Sequence, residues 1–315
     1  MPQTPVLALL APGQGSQTPG MLTPWLELAG AADRLATWSE ISGLDLAQLG
    51  TTATAEEITD TAVTQPLVVA ATLLAHEELT KRGLLAGATT IVAGHSVGEI
   101  AAYAIAGVIS ADEAIKLAAT RGAEMAKACA LEPTGMAAVL GGDEAEVLAR
   151  LEALELVPAN RNAAGQIVAA GAVSALEKLA EDPPAKARVR VLATAGAFHT
   201  HFMGSAQEPY AAAAATVTPG EPTTTLLSNA DGQPVAGAAD AMAKLVAQMT
   251  RPVRWDLCSE TMRKRFSAAQ EGQEVTGIIE FPPAGTLAGI AKREVKGVPT
   301  FAIKTPADLD GLAEF

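Results

Sequence analysis

Apolar residues along the chain fall into two kinds of run. Short, uninterrupted ones at residues 5–10, 89–93 and 276–281 predict buried strands. Longer ones carry helical spacing. Over residues 65–82, Leu67, Ala70, Ala71, Leu74 and Leu79 share one side of a helix that Gly83 ends. Residues 99–106 are alanine-rich and helix-favouring, and residues 111–129 continue as a second long helix. Ser110 stands at its N-cap, with Glu113 placed to complete a capping box. The first strand runs into the loop Pro12-Gly13-Gln14-Gly15-Ser16-Gln17, too glycine-rich to be regular. The second runs into a sharp turn at 94–98, giving strand, turn and helix in succession.

From Gly135 the pattern changes. Strands at 136–140, 157–160, 166–170 and 188–194 alternate with helices at 143–151 and 174–180. That β-α-β-β-α-β order is that of a ferredoxin-like unit, complete in about 60 residues. Residues 196–203 return to polar, turn-prone chemistry, and helices are expected at 211–215, 238–249 and 256–266. No internal repeat is visible. The expected fold is α/β: a large hydrolase-like domain with a parallel central sheet, from residues 1–129 and 196–315. A small ferredoxin-like α+β subdomain, residues 130–195, is inserted in it.

Composition agrees with layered packing. The chain has 315 residues, 49% hydrophobic but only 3% aromatic, so its core is built from small aliphatic side chains. A net charge of -13 argues against sequence-independent nucleic-acid binding. Cys129 and Cys258 lie far apart, without the spacing of a disulfide framework or a zinc site, and a reducing cytoplasm is the simplest setting. The N-terminus lacks the order of a secretory signal, and no stretch approaches the length of a membrane span.

The candidate chemistry sits at Gly94-His95-Ser96-Val97-Gly98, a nucleophile-elbow pattern. A turn this sharp needs small flanking residues. It lifts the serine hydroxyl clear of the sheet and aims the Val97 N–H at the same space, as an oxyanion donor. A serine nucleophile needs a base, and the chain has four histidines: His76, His95, His199 and His201. His76 lies within an amphipathic helix. His95 adjoins the serine but points elsewhere, and is expected to support the turn by hydrogen bonding. His199 and His201 share a loop after a strand, and periodicity does not choose between them.

These residues, in order, resemble the malonyl-CoA:acyl carrier protein transacylases and the acyltransferase domains of fatty acid and polyketide synthases. Pro12 to Gln17 resembles the family's PGQGSQ loop, Gln65-Pro66 its QP helix start, and Gly94 to Glu99 its GHSxGE elbow. Ala106 to Ile109 and Arg121-Gly122 follow at the family's spacing. Asn160-Arg161-Asn162 with Gly165-Gln166 resembles its NxNxxGQ stretch, and Gly196 to Thr200 its GAFH segment. Pro282-Pro283-Ala284-Gly285 departs from the family's GPG turn.

The resemblance implies roles. It selects His199 over His201 as base, oriented by a backbone carbonyl near Gln248 instead of by a carboxylate. It makes the Gln14 N–H the second oxyanion donor beside Val97. Arg121 becomes the two-pronged partner of a substrate carboxylate, and Phe198 the side chain that favours malonyl over methylmalonyl. Asn162 and His95 join the substrate-binding set. The implied enzyme is a malonyl-CoA:acyl carrier protein S-malonyltransferase that works through a malonyl-serine, with malonyl-CoA and holo-acyl carrier protein as substrates. No metal or redox cofactor, no nucleic acid and no membrane are expected, and a monomer suffices. Basic clusters at Lys186, Arg188 and Arg190, and at Arg263, Lys264 and Arg265, are candidates for docking an acidic carrier.

Two other readings share some of these features. An α/β-hydrolase-type thioesterase or esterase has the same elbow, but expects an acid between serine and histidine and a late histidine. Here more than 100 residues follow His199. A non-catalytic carrier-binding protein would not need the full set of catalytic-type residues.

Overall fold

The computed structural model describes residues 6–267 and 275–314; Pro5, where the first strand was expected to begin, lies outside them. In chain order the elements are β1 (Val6–Ala11), α1 (Ala31–Ser42), α2 (Leu46–Thr51), α3 (Thr61–Lys81), β2 (Thr89–Gly94), α4 (Gly98–Ile105) and α5 (Ala111–Cys129). Next come β3 (Thr134–Gly141), α6 (Glu144–Ala153), β4 (Val157–Ala163), β5 (Gln166–Ala172), α7 (Val173–Glu181) and β6 (Ala187–Val191). The chain closes with α8 (Gly204–Ala214), β7 (Thr225–Leu227), α9 (Ala238–Ala247), α10 (Trp255–Ser267), β8 (Val275–Glu280), α11 (Thr286–Glu294) and β9 (Thr300–Ala302).

Two sheets organise these elements. The first has the order β7-β2-β1-β8-β9, and each neighbouring pair is parallel. Parallel strands with both faces covered read as continuous apolar runs, which is why β1 shows no polar alternation. Its period of two still operates. Leu9 and Ala11 join one core cluster, while Val6, Ala8 and Leu10 join the cluster on the opposite face. The second sheet has the order β4-β5-β3-β6, with every pair antiparallel, as the β-α-β-β-α-β reading requires. On one side Ala137, Val139, Ile167 and Ala169 pack against Val147 and Leu151 of α6 and Leu176 and Leu179 of α7. The alternate residues Met136, Ala138 and Val168 face the other way, into a cleft.

Several boundaries differ from the pattern reading. The helix expected from Gln65 begins at Thr61, because the Asp60 carboxylate accepts the Ala62 N–H and caps a first turn, Thr61-Ala62-Val63-Thr64, in which two threonines break the apolar spacing. Pro66 therefore sits in the second turn instead of marking the start. The strand expected at 188–194 is shorter: its pairing with β3 ends at Val191, and the chain then turns towards the site. The capping box of Ser110 and Glu113 forms as expected. The expected helix at 238–249 becomes α9 followed by a 3-10 turn, Gln248–Thr250. Helix α8 reaches seven residues upstream of the expected 211–215 segment, which its own Pro209 obscures. Helices α1, α2 and α11 and the three-residue strands β7 and β9 carry no expectation from pattern at all. No described helix is long and apolar enough to cross a membrane.

Candidate active site

The turn between β2 and α4 holds Ser96 at φ 54°, a left-handed conformation that β-carbon-bearing residues adopt only under strain. The glycines around it are sterically required. A Cβ on Gly94 would lie 2.0 Å from the Gly98 carbonyl oxygen, and one on Gly98 would lie 2.2 Å from the Ala11 oxygen. Asn229 holds the turn from outside. Its Oδ1 accepts the Ser96 N–H at 2.8 Å, and its Nδ2 donates to the Gly94 carbonyl at 2.7 Å. Val97, next to the serine, stands at the N-cap of α4, where backbone N–H groups lack helical partners.

His199 faces the serine. Its Nε2 lies 2.7 Å from Ser96 Oγ, and its Nδ1 lies 2.9 Å from the Gln248 main-chain carbonyl. A carbonyl only accepts, so Nδ1 carries the proton and Nε2 is free to take one from the hydroxyl. Burial, reinforced by the Arg121 charge, holds His199 down at about 3, so the ring is neutral at physiological pH. His201, two residues on, is exposed and borders a separate hollow with Leu131 and Phe202. The geometry thus separates two histidines that spacing could not. His76 packs edge-on against Phe281 at 5.8 Å, away from the serine. His95 supports the turn as expected: Nε2 meets Asn162 Oδ1 of β4 at 2.9 Å, tying the elbow to the antiparallel sheet.

Arg121 enters from α5 and is only 1% exposed. It reaches the elbow because α5 crosses α3 closely at Gly122, where a Cβ would lie 2.7 Å from the Thr61 carbonyl. Nη1 donates to Gln65 Oε1 and Nη2 to Gln248 Oε1, both at 2.8 Å; Nη2 also lies 3.5 Å from Ser96 Oγ. Both strong partners are neutral amides, and Nε has no partner among the described residues. A buried cation held by neutral partners beside Ser96 keeps the capacity to pair with an anion.

These groups line a cleft of about 320 Å³ between the two sheets, bounded also by Gln14, Met125, Met136, Asn162, Val168 and Phe198. Gln14 is fixed by its side-chain amide, which donates to Thr61 Oγ1 at 3.3 Å. Phe198 is 7% exposed, its ring forming part of the wall. Among the described residues, no cluster of His, Cys, Asp and Glu could hold a metal ion.

Two residues that the sequence reading gave no role, one of them the last of the GHSxGE elbow, bind the site together. Glu99 is 1% exposed on the apolar helix α4, and burial lifts its carboxyl to about 7. It accepts the Asn229 N–H at 2.7 Å and a hydrogen bond from Gln248 Nε2. A lone carboxylate in the segment Glu99-Ile100-Ala101-Ala102 was the available signal. Asn229 follows a three-residue strand and offered none.

An elbow serine, a histidine on a carbonyl and a buried arginine are together chemically capable of acyl transfer from an anionic substrate. Comparison with known proteins agrees: the model of the acyl transferase domain matches residues 9–303. The chain belongs to the acyl transferase family. Within that family it is 83% identical over 292 residues to the malonyl CoA-acyl carrier protein transacylase of Mycolicibacterium smegmatis, covering 93% of this chain and 99% of that one. The enzyme of the same name from Mycobacterium tuberculosis is 71% identical over 308 residues, covering 98% and 99%. Among solved structures, MCAT from Mycobacterium tuberculosis superposes with a TM-score of 0.94 at 71% identity, covering 98% and 99%. A malonyl-transacylase solved in complex with its type II PKS acyl-carrier protein superposes with a TM-score of 0.88 at 28% identity, covering 98% and 99%.

Proposed function

We propose that this acyl transferase moves the malonyl group of malonyl-CoA to the phosphopantetheine thiol of acyl carrier protein through a malonyl ester of Ser96. The observation that carries the reading is the position of Arg121 Nη2, 3.5 Å from Ser96 Oγ and opposite His199. One acyl group can therefore meet nucleophile and cation together. The relatives at 71% and 83% identity bear the same activity in their names, and a more distant one was solved with its carrier.

The chemistry follows from the hydrogen bonds. His199 Nε2 takes the Ser96 hydroxyl proton as Oγ attacks the thioester carbonyl. The main-chain N–H groups of Val97 and Gln14 receive the oxyanion. Collapse breaks the C–S bond, and the CoA sulfur leaves with the proton from His199. In the second half the carrier thiol gives its proton to His199 and attacks the ester, and Ser96 Oγ recovers that proton as it departs. Arg121 holds the malonyl carboxylate throughout, and Phe198 crowds the carbon between the two carbonyls. Low basicity, which comes first from burial, helps His199 return its proton, and pairing of Arg121 with the substrate carboxylate offsets the smaller contribution of the Arg121 charge. Activated thioester, base and oxyanion donors suffice for each step, so the reaction as written uses no metal or redox group.

The acidic carrier docks at the mouth of the cleft. Arg188 and Arg190 pair across from Leu140 and Ala138, placing them on the cleft side of the antiparallel sheet. That location favours them over Arg263 and Lys264, since Lys264 is already held by Glu260 at 2.7 Å. Work in a reducing cytoplasm fits the two free thiols, Cys129 and Cys258.

Intact mass after incubation with malonyl-CoA tests the reading. The protein should gain one malonyl group, Ser96→Ala should gain none, and Arg121→Ala should lose its preference for malonyl over acetyl. A malonyl adduct on the Ser96→Ala protein, or an unchanged preference in Arg121→Ala, would overturn it.

A further inference from the structure

Gln248 does two jobs with different atoms. Its main-chain carbonyl holds His199, and its side-chain oxygen holds Arg121. An amide can face its neighbours either way round, and only one way is useful here. Arginine donates and never accepts, so Oε1 must point at Arg121. Nε2 must then find acceptors on the far side, and it donates to Glu99 Oε2, to the Ser96 carbonyl at 3.1 Å and, more weakly, to Asn229 Oδ1 at 3.4 Å. Glu99 is the only one of these acceptors that is a carboxylate. Its other oxygen takes the Asn229 N–H at 2.7 Å, and Asn229 in turn grips the Ser96 N–H. All three side chains are buried, with Asn229 fully so and Gln248 4% exposed, so water cannot stand in for a missing partner.

We infer that Glu99 is a positioning residue that fixes the amide of Gln248, and through it the guanidinium of Arg121 that receives the substrate carboxylate. The inference rests on the proposed role of Arg121. Glu99 touches no reacting atom. With its proton off, above about pH 7, Glu99 offers two acceptor oxygens and satisfies two donors, Asn229 and Gln248, at once. A carboxamide of the same shape offers one oxygen and one NH2 and satisfies only one of them. With Asn229 kept, the new NH2 would face Gln248 Nε2, and the Gln248 amide would turn its own NH2 towards Arg121.

The test is Glu99→Gln, measured with malonyl-CoA, with acetyl-CoA and with a fluorophosphonate that reads the Ser96 and His199 pair without needing a carboxylate partner. The KM for malonyl-CoA should rise about 10-fold or more, with fluorophosphonate labelling and acetyl loading within about 3-fold of wild type. Gln248→Ala should reproduce the malonyl effect. The double variant should be no more than about 3-fold worse than the poorer single, because both act through one contact. Equal losses of labelling and malonyl loading in Glu99→Gln would show a merely structural role and overturn the inference, as would multiplicative losses in the double variant. If Glu99→Gln does not fold, an unchanged malonyl KM in Gln248→Ala overturns it alone. A malonyl preference that survives Arg121→Ala overturns the functional reading itself, and is distinguished by that variant.

Discussion

Ser96 and His199, 2.7 Å apart at the centre of the cleft, both hold left-handed backbone, with φ of 54° and 59°. Only two other non-glycine residues among those described, Glu155 and Lys186, have positive φ. Such conformations cost about 1–3 kcal/mol each and persist where surrounding structure over-determines them. Here Asn229 pins the serine and the Gln248 carbonyl pins the histidine.

Removing the strain should therefore stabilise an inactive protein. Ser96→Gly and Ser96→Ala should both abolish acyl loading, and the glycine variant should be the more stable by about 1 kcal/mol, because only alanine keeps a Cβ in the strained region. Denaturant midpoints of the two variants check this; an alanine variant as stable as the glycine one would contradict it.

The close crossing at Gly122 should be specific in its effect. Gly122→Ala places a Cβ 2.7 Å from the Thr61 carbonyl and pushes α5 off α3, carrying Arg121 with it. Malonyl loading should fall about 10-fold or more, while labelling of Ser96 by a fluorophosphonate changes little. At Gly94, where the obstruction is backbone at 2.0 Å, the same substitution should prevent folding, read as loss of soluble protein.

The pH dependence has a definite sign. His199 sits at about 3 in the fold, against an ordinary value near 6.5, so the folded ring stays neutral as pH falls through the range where an ordinary histidine would charge. Serine labelling should hold most of its neutral-pH rate down to about pH 5, measured by labelling rates across a buffer series. Between about 6.5 and 3 the unfolded chain binds this proton and the folded one does not. His199 therefore subtracts stability as pH falls through that window, and its effect is absent above it.

Phe198 should set the acyl group's size. Phe198→Ser should raise methylmalonyl loading relative to malonyl by about 10-fold, read by mass from mixed CoA esters, because it removes the ring from the cleft wall. A ratio unchanged from wild type would assign the wall to other residues.

Much of this was readable because steric need leaves marks in a sequence. The elbow announces itself through two glycines that nothing else can replace, and the antiparallel unit through its alternation of strands and helices. What was not readable depends on contacts between distant segments. Arg121 looks like any solvated helix arginine until the α3 crossing turns it inwards, and resemblance alone assigned it a role. Helix α11 shows no local cap because its cap is Glu280 at the end of β8, whose carboxylate takes the N–H groups of Gly285, Leu287 and Ala288. Helix α1 has Gly30 at its N-cap and so no side-chain cap, and β7 and β9 are too short to show a period. The Glu99, Asn229 and Gln248 network joins three segments, none of which signals the others.

The antiparallel sheet interrupts the chain between Ser96 and His199: Ser96 precedes β3, and His199 follows β6 by only eight residues. The elbow segment is thus separated in the chain from His199 by all four strands of that sheet. Gln248, which sets the tautomer, comes later still. The contact of Ser96 with His199, and of His199 with the Gln248 carbonyl, therefore joins three segments that are complete only when most of the chain is in place.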